Sequence, residues 1–177
     1  MLNQEIILTP EECQYIIDSN TGFKRSTLVA YGHSIQASQY RTSQDSYIDT
    51  TDEINNLLLP KLLKYNISNL PKVGTLLKYE VGQEFRLHRD SGRAPGNNIK
   101  ARYKTLSIQL CDTYTGGDFV VWEDKNTQTI CDKNIGNMIL FPATWLHQAK
   151  PVLEGTRYSL VYFLTTANFN NINKSII

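Results

Sequence analysis

The sequence predicts a mainly β, α+β domain in which two N-terminal helices pack on one side of a β-sandwich or barrel. Three observations lead there. Helix-start signatures stand at Thr9-Pro10-Glu11-Glu12 and at Thr50-Thr51-Asp52-Glu53. After Pro71 the chain turns into short β-rich runs separated by glycine turn signals. Its 177 residues, 41% apolar and 20% charged, suit about one globular domain with a real core.

The elements follow in order. Residues 1–10 show neither a basic start nor a long apolar stretch, so no secretory leader is expected. Cys13, Cys111 and Cys131 are odd in number and widely spaced, matching neither a disulfide framework nor a zinc pair. Three reduced, mostly buried thiols in a cytoplasmic protein are the expectation. Thr9 caps the first helix, Pro10 suits its first turn and Glu12 takes the capping-box position. The helix runs to about Ser19, ahead of Asn20-Thr21-Gly22. Ser26–Tyr31 and Ile35–Tyr40 have strand character with weak alternation. In the second helix Ile54, Leu57, Leu58, Leu62 and Tyr65 fall at near-helical spacing, and Pro60 predicts a kink or break.

The β half reads as Val73–Tyr79, Tyr103–Leu110, Asp118–Trp122, Asn137–Phe141 and Tyr158–Leu164, with turns at Gly82, Gly116-Gly117, Gly136 and Gly155. Ser91–Asn98 is polar and rich in glycine and proline, which predicts a mobile loop, extended to a lid over 91–103. Asn168–Lys174 is expected to fray. With no repeat and no linker, residues 1–177 form a single domain: helical support over about 1–70, a β core over about 71–165 and a tail over 166–177. Eighteen basic against seventeen acidic residues leave +1, which predicts no nucleic-acid partner. No apolar run approaches the roughly 20 residues of a membrane span, so no membrane partner is expected.

Chemistry concentrates on few residues. Among only three histidines, His88-Arg89-Asp90 is a His-x-Asp pair. On a strand, residues i and i+2 share a face, so imidazole and carboxylate can converge; a hydrogen-bonded surface pair is the plain alternative. His147 lies 59 residues on (147 − 88), after a strand and a proline-directed turn. Two histidines and one carboxylate make a facial triad that leaves open positions on an Fe(II) ion for a chelating co-substrate and O2. Zinc prefers closed four-coordinate geometry. Arg157 then heads an apolar strand, where burial is costly without an anion. Its planar fork suits a carboxylate, and Ser159 shares its strand face.

Three stretches, Tyr79–Asp90, Leu106–Leu110 with Tyr114–Phe119, and Gly136–Leu164, resemble the Fe(II)- and 2-oxoglutarate-dependent dioxygenases, in particular the prolyl 4-hydroxylase-like branch. Arg41–Ile48 is similar to that family's substrate-side loop. The combination of His-x-Asp, a Gly-Gly turn, Phe141-Pro142 before His147, and an arginine ten residues later (157 − 147) carries the resemblance. It implies a double-stranded β-helix, or jelly roll, with two supporting helices. It implies that His88, Asp90 and His147 are the catalytic iron ligands and that Arg157 takes the distal carboxylate of 2-oxoglutarate. Tyr79, Gln109 and Ser159 would line the same pocket, and Arg41 and Trp145 would face substrate. The implied activity is hydroxylation using O2, with 2-oxoglutarate converted to succinate and CO2. The acceptor would be a prolyl residue of a peptide or protein. Alternatives are a non-prolyl side chain, a small molecule, a non-catalytic binding module that retains the triad, or a zinc hydrolase.

Three departures stand out. Phe85 replaces a frequent tyrosine. Arg157 stands where many prolyl 4-hydroxylases carry lysine. Phe163 occupies the place of the second arginine of the alkylated-base demethylases, which speaks against nucleobase repair. His33 is read as a loop residue and Trp122 as core. Asp112, Asp118 and Asp124, six residues apart, match no calcium loop and read as turn and surface residues.

Overall fold

A computed structural model describes residues 1–20, 22–30, 33–36, 40–91 and 102–170. The loop and lid expected over 91–103 and the end of the tail lie largely outside the described residues. In chain order the strands are β1 (Asn3–Ile6), β2 (Lys24–Arg25), β3 (Thr27–Ala30), β4 (His33–Gln36), β5 (Gln44–Asp49), β6 (Val73–Tyr79), β7 (Phe85–His88), β8 (Lys104–Gln109), β9 (Thr115–Gly116), β10 (Phe119–Trp122), β11 (Gln128–Ile130), β12 (Asn137–Pro142), β13 (Leu146–Ala149), β14 (Val152–Glu154) and β15 (Arg157–Leu164). The helices are α1 (Pro10–Asp18) and α2 (Asp52–Leu62).

Local sequence explains the helix ends. Thr9 Oγ1 accepts from the Glu12 amide at 3.2 Å, and the Glu12 carboxylate accepts from the Thr9 amide at 2.8 Å. This closed capping box satisfies donors that a helix start leaves unpaired. Thr51 caps α2 in one direction only, its side-chain oxygen accepting from the Ile54 amide. Pro60 lacks the amide hydrogen that the fourth carbonyl before it would accept. Helix α2 ends two residues later and tightens into a 3₁₀ turn at Leu63–Tyr65, so the expected break takes the form of a C-terminal narrowing.

Two antiparallel sheets carry the architecture. The larger has the order β1-β12-β8-β15-β6-β5-β2 and the smaller β11-β10-β13-β7; β14-β9 and β3-β4 form two-stranded ribbons. The large sheet is buried on both faces, and strand parity sorts its side chains. Leu76, Leu106, Ile108, Met138, Leu140, Leu160 and Tyr162 pack with Ile16 of α1 and with Ile54, Leu58 and Leu62 of α2. Their alternates Leu77, Tyr79, Ile139, Phe141 and Val161 pack with Phe119, Val121 and Ala149 of the small sheet. Each large aliphatic side chain buried this way contributes about 1.5–3 kcal/mol. The row between the sheets is not wholly apolar: Thr105, Ser107, Gln109, Arg157 and Ser159 are buried at alternate positions of β8 and β15. Such a row costs stability unless its groups are used.

Gly136 joins β1 to β12. Its φ of +78° is a conformation L side chains rarely adopt, and a Cβ there would stand 2.0 Å from the Leu8 carbonyl oxygen. Residues 1–70 also do more than supply helices, because β1, β2 and β5 belong to the large sheet. Strand β1 escapes sequence detection because it is an edge strand, held by backbone pairing to β12 rather than by an apolar face. His33 lies in β4, not in a loop. Asn168 is buried and donates to both the carbonyl and the side-chain oxygen of Asn69, at 3.2 and 2.8 Å, which pins the start of the tail. Among the described residues no helix is long and apolar enough to cross a membrane.

Candidate active site

Strands β7 and β13 pair antiparallel with His88 opposite His147. Asp90 follows β7, and its amide and that of Ser91 both donate to the Ala143 carbonyl, at 3.1 and 3.0 Å. The turn leading into β13 therefore positions the carboxylate as well as His147. One ligand atom from each of His88, Asp90 and His147 lies within 4.8 Å of the others. His147 Nε2 is 3.2 Å from Asp90 Oδ2, and His88 Nε2 is 3.6 Å from Asp90 Oδ1. Two ligands about 2.1 Å from one ion and at right angles lie about 3 Å apart, so this spacing fits a shared cation.

The tautomers follow from the opposite ring nitrogens. His88 Nδ1 contacts the Arg86 carbonyl at 2.7 Å, and His147 Nδ1 contacts the Trp145 carbonyl at 3.1 Å. A carbonyl only accepts, so each Nδ1 carries a proton, and each ring turns its Nε2 toward Asp90. Burial pushes the His88 pKa down and favours its neutral form. Burial alone would raise the Asp90 pKa, but its contacts with His147 and His88 hold it well below the usual carboxylate range. Two imidazole Nε2 atoms and a carboxylate thus converge on one point, a donor set that a divalent cation can share. Thr105 Oγ1 donates to Asp90 Oδ2 at 2.6 Å and fixes that oxygen. The Phe85 ring stacks on His88 with centroids 3.4 Å apart, while Phe141 and Phe119 stand 4.8 and 5.7 Å from the His147 ring.

A second charged centre lies one aromatic ring away. Phe119, which touches His147, is also 5.8 Å from the Arg157 guanidinium carbon, and the Tyr79 ring is 5.1 Å from it. Register places Arg157 opposite Tyr79 and Ser159 opposite Gln109. Arg157 is only 1% exposed. Among the described residues it makes no ion pair, and its Nε has no hydrogen-bond partner. The Gln109 Oε1 and the Tyr114 hydroxyl are buried and unpartnered as well. Burial pushes the Tyr114 pKa up against the pull of the nearby Arg157 charge. A buried guanidinium that makes no ion pair among the described residues, with unsatisfied polar atoms around it, could receive a carboxylate. A short dicarboxylate reaching from the triad past Phe119 to Arg157 fits these residues.

Arg41 sits on the other side of the triad. Its guanidinium carbon is 5.0 Å from the Phe85 ring, its Nη2 is 3.3 Å from Asp45, and its Nε donates to Ser43. Trp145 holds His147 through its main chain and packs its ring partly against the inter-sheet cluster. It also lines a cleft with Leu87, Trp122 and Leu146, on the face of the small sheet opposite the metal ligands. Trp122 is therefore not core; its neighbour Val121 takes the inward position. Sequence reasoning missed Thr105 and Tyr114. The signal for Thr105 was present as Thr105, Ser107 and Gln109 at two-residue spacing in an apolar strand. Tyr114 becomes visible only through its position beside Arg157.

A family model described as the 2OG-Fe(II) oxygenase superfamily matches residues 74–165. A PKHD-type hydroxylase of Methylobacterium nodulans is 35% identical over 126 residues, 65% of this chain and 55% of that protein. The chain spans about half the length of the curated relatives it matches. A Pseudomonas putida prolyl-4-hydroxylase superposes with a TM-score of 0.68 at 16% identity, covering 93% of this chain and 92% of that one. A Trichoplax adhaerens prolyl hydroxylase, solved with a hypoxia inducible factor peptide fragment, gives 0.69 at 16% identity over 92% and 83%. These two likenesses show a shared fold.

Proposed function

The chain belongs to the 2OG-Fe(II) oxygenase superfamily, and on that premise we propose that it is a 2-oxoglutarate- and Fe(II)-dependent hydroxylase that consumes O2 and releases succinate and CO2. The observation that carries this reading is the convergence of His88, Asp90 and His147 one ring away from the buried, unpaired Arg157. The two sheets are read as the halves of a jelly roll, with the site between them.

In this reading His88, Asp90 and His147 hold the metal. Arg157 receives the distal carboxylate of 2-oxoglutarate, with Tyr79, Gln109, Ser159 and Tyr114 around it. Bound metal and co-substrate supply the oxidative chemistry, namely decarboxylation of 2-oxoglutarate and insertion of an oxygen atom into a C–H bond. The protein's own residues orient and protect. Nδ1–H bonds to the Arg86 and Trp145 carbonyls fix both imidazoles, and the Thr105 hydroxyl fixes Asp90. Phe85, Phe119 and Phe141 exclude water from the ligands. The acceptor is a peptide or protein, with a prolyl residue as the preferred target, in keeping with the names of two solved neighbours. Arg41 is the substrate-side candidate, while Trp145 lines a cleft on the far face of the small sheet and serves by holding His147 through its carbonyl.

The test is incubation of the purified protein with Fe(II), 2-oxoglutarate, O2 and a library of proline-containing peptides. Succinate formation together with a peptide mass gain of one oxygen atom is expected. Conversion of 2-oxoglutarate to succinate that never rises above a metal-free control rejects the reading.

A further inference from the structure

Arg102 stands just ahead of β8 and is the second arginine beside the triad. Its Nη1 donates to the Asp90 carbonyl at 3.2 Å, and its guanidinium carbon lies 3.5 Å from the Phe163 ring centroid. Phe163 thus props a charged group against the main chain of a metal ligand. Among the described residues no carboxylate lies within ion-pair distance of Arg102, and none of the remaining residues bears an acidic side chain. The nearest acid, Asp90, already faces His88 and His147. Burial lowers the Arg102 pKa, attraction to Asp90 opposes this, and the neighbouring Arg41 charge adds repulsion. Arg41 lies over Phe85, which in turn stacks on His88. Both guanidiniums therefore sit beside the triad, apart from the pocket that Arg157 occupies.

Arg102 is half-buried, held by the Asp90 carbonyl and the Phe163 ring, and presents beside the triad a guanidinium that a carboxylate can pair with. Resting on the oxygenase reading above, we propose that the acceptor substrate carries a carboxylate next to the carbon to be hydroxylated, and that Arg102, beside Arg41, binds it. The carboxylate is either an acidic side chain adjoining the target residue of a peptide or the α-carboxylate of a free amino acid. The same chemistry serves both, and Asp45 holds Arg41 in place for it through the 3.3 Å ion pair.

The experiment uses the full chain loaded anaerobically with Mn(II) and 2-oxoglutarate. Binding is measured for end-capped peptides with a central proline flanked by Glu or by Gln, and for L-proline against L-prolinamide. At least one acid should bind about tenfold or more tightly than its uncharged partner, the value of one good charge-assisted contact. The peptide pair and the amino-acid pair tell the two carboxylate sources apart. Arg102→Gln should bring the acid-to-neutral ratio close to unity, and Arg102→Lys should retain most of it. Because Arg102→Gln can disturb Asp90, its Mn(II) affinity is measured alongside. If that affinity collapses, the salt dependence of the wild-type ratio decides, since a charge-driven preference falls as salt rises. Equal binding of acid and neutral probes, binding of neither, a ratio untouched by Arg102→Gln in a metal-competent protein, or a salt-insensitive ratio overturns the proposal. Succinate formation without any acid preference sinks this inference alone. Acid preference without succinate formation sinks the oxygenase reading instead.

Discussion

Arg157 should make the protein less stable and the co-substrate site functional at the same time. The residue is 1% exposed and has no carboxylate partner among the described residues. Replacing a buried charge with an apolar side chain of similar length is neutral or stabilising by about 1–4 kcal/mol. Arg157→Met should therefore raise the melting temperature of protein free of co-substrate, by about 2–4 °C per kcal/mol for a chain of this size. The same change removes charge-assisted hydrogen bonds to 2-oxoglutarate, worth about 1.5–3 kcal/mol each. Loss of one already weakens binding by more than about tenfold. Wild type at a hundred times its dissociation constant gains about 2.7 kcal/mol from ligand; at that concentration Arg157→Met should gain about 1.4 kcal/mol or less, and under about 0.3 kcal/mol if two such bonds are lost. Differential scanning fluorimetry with Mn(II), with and without 2-oxoglutarate, reads both effects. Arg157→Lys should restore part of the ligand shift, since charge survives without the fork. If Arg157→Met melts lower than wild type without co-substrate and still responds to 2-oxoglutarate as wild type does, the placement of the anion receptor at Arg157 is wrong.

Three further outcomes are expected. Asp90→Ala removes the anionic ligand, so anaerobic calorimetric titration should show greatly weakened Mn(II) binding in a folded protein; unchanged affinity would take Asp90 out of the site. Thr105→Val deletes the 2.6 Å bond to Asp90 Oδ2 and should cost about 10–100-fold in metal affinity, with a circular-dichroism melt close to wild type. Gly136→Ala forces a Cβ to within 2.0 Å of the Leu8 carbonyl oxygen at a φ of +78°. The left-handed conformation alone costs about 1–2 kcal/mol, so urea denaturation should show a larger loss than that. A loss under about 0.5 kcal/mol would mean that the β1–β12 junction yields easily.

Legibility in the sequence tracked how local each cause is. The capping box at Thr9 and Glu12 is written within four residues, and α1 starts where it says. Strand β6 matches its expected bounds because local turn signals, Pro71 before it and Gly82 after it, frame a β-rich run. Strands β11, β13 and β14 are three or four residues long, and their pairing partners define them more than their own composition does. His88 and Asp90 were visible through two-residue spacing, and His147 through the turn before it. The opposition of His88 to His147 across β7 and β13 is a matter of register that spacing alone does not show. Trp122 was misread because large aromatic residues suggest burial, whereas strand parity at Val121 turned it outward. Arg102 gave no signal at all, since its place depends on Phe163 and Asp90 meeting it in space.

The parity of β8 and β15 has a practical meaning for anyone altering this protein. Odd-numbered positions, from Thr105 to Gln109 and from Arg157 to Val161, look between the sheets, while Leu106, Ile108, Leu160 and Tyr162 look toward the helices. The two sets are separate mutational territories. Libraries at the even positions can search for heat tolerance while leaving the reactive chamber's lining alone, and libraries at the odd positions can search for new co-substrates while sparing the helix-side core. A single-residue insertion or deletion inside either strand respects neither territory. It would exchange the two rows, turning Arg157 toward Ile54 and Leu58 and a leucine toward the metal ligands. Length variation in this chain therefore belongs in the connections, and both strands should tolerate substitution far better than any change of length.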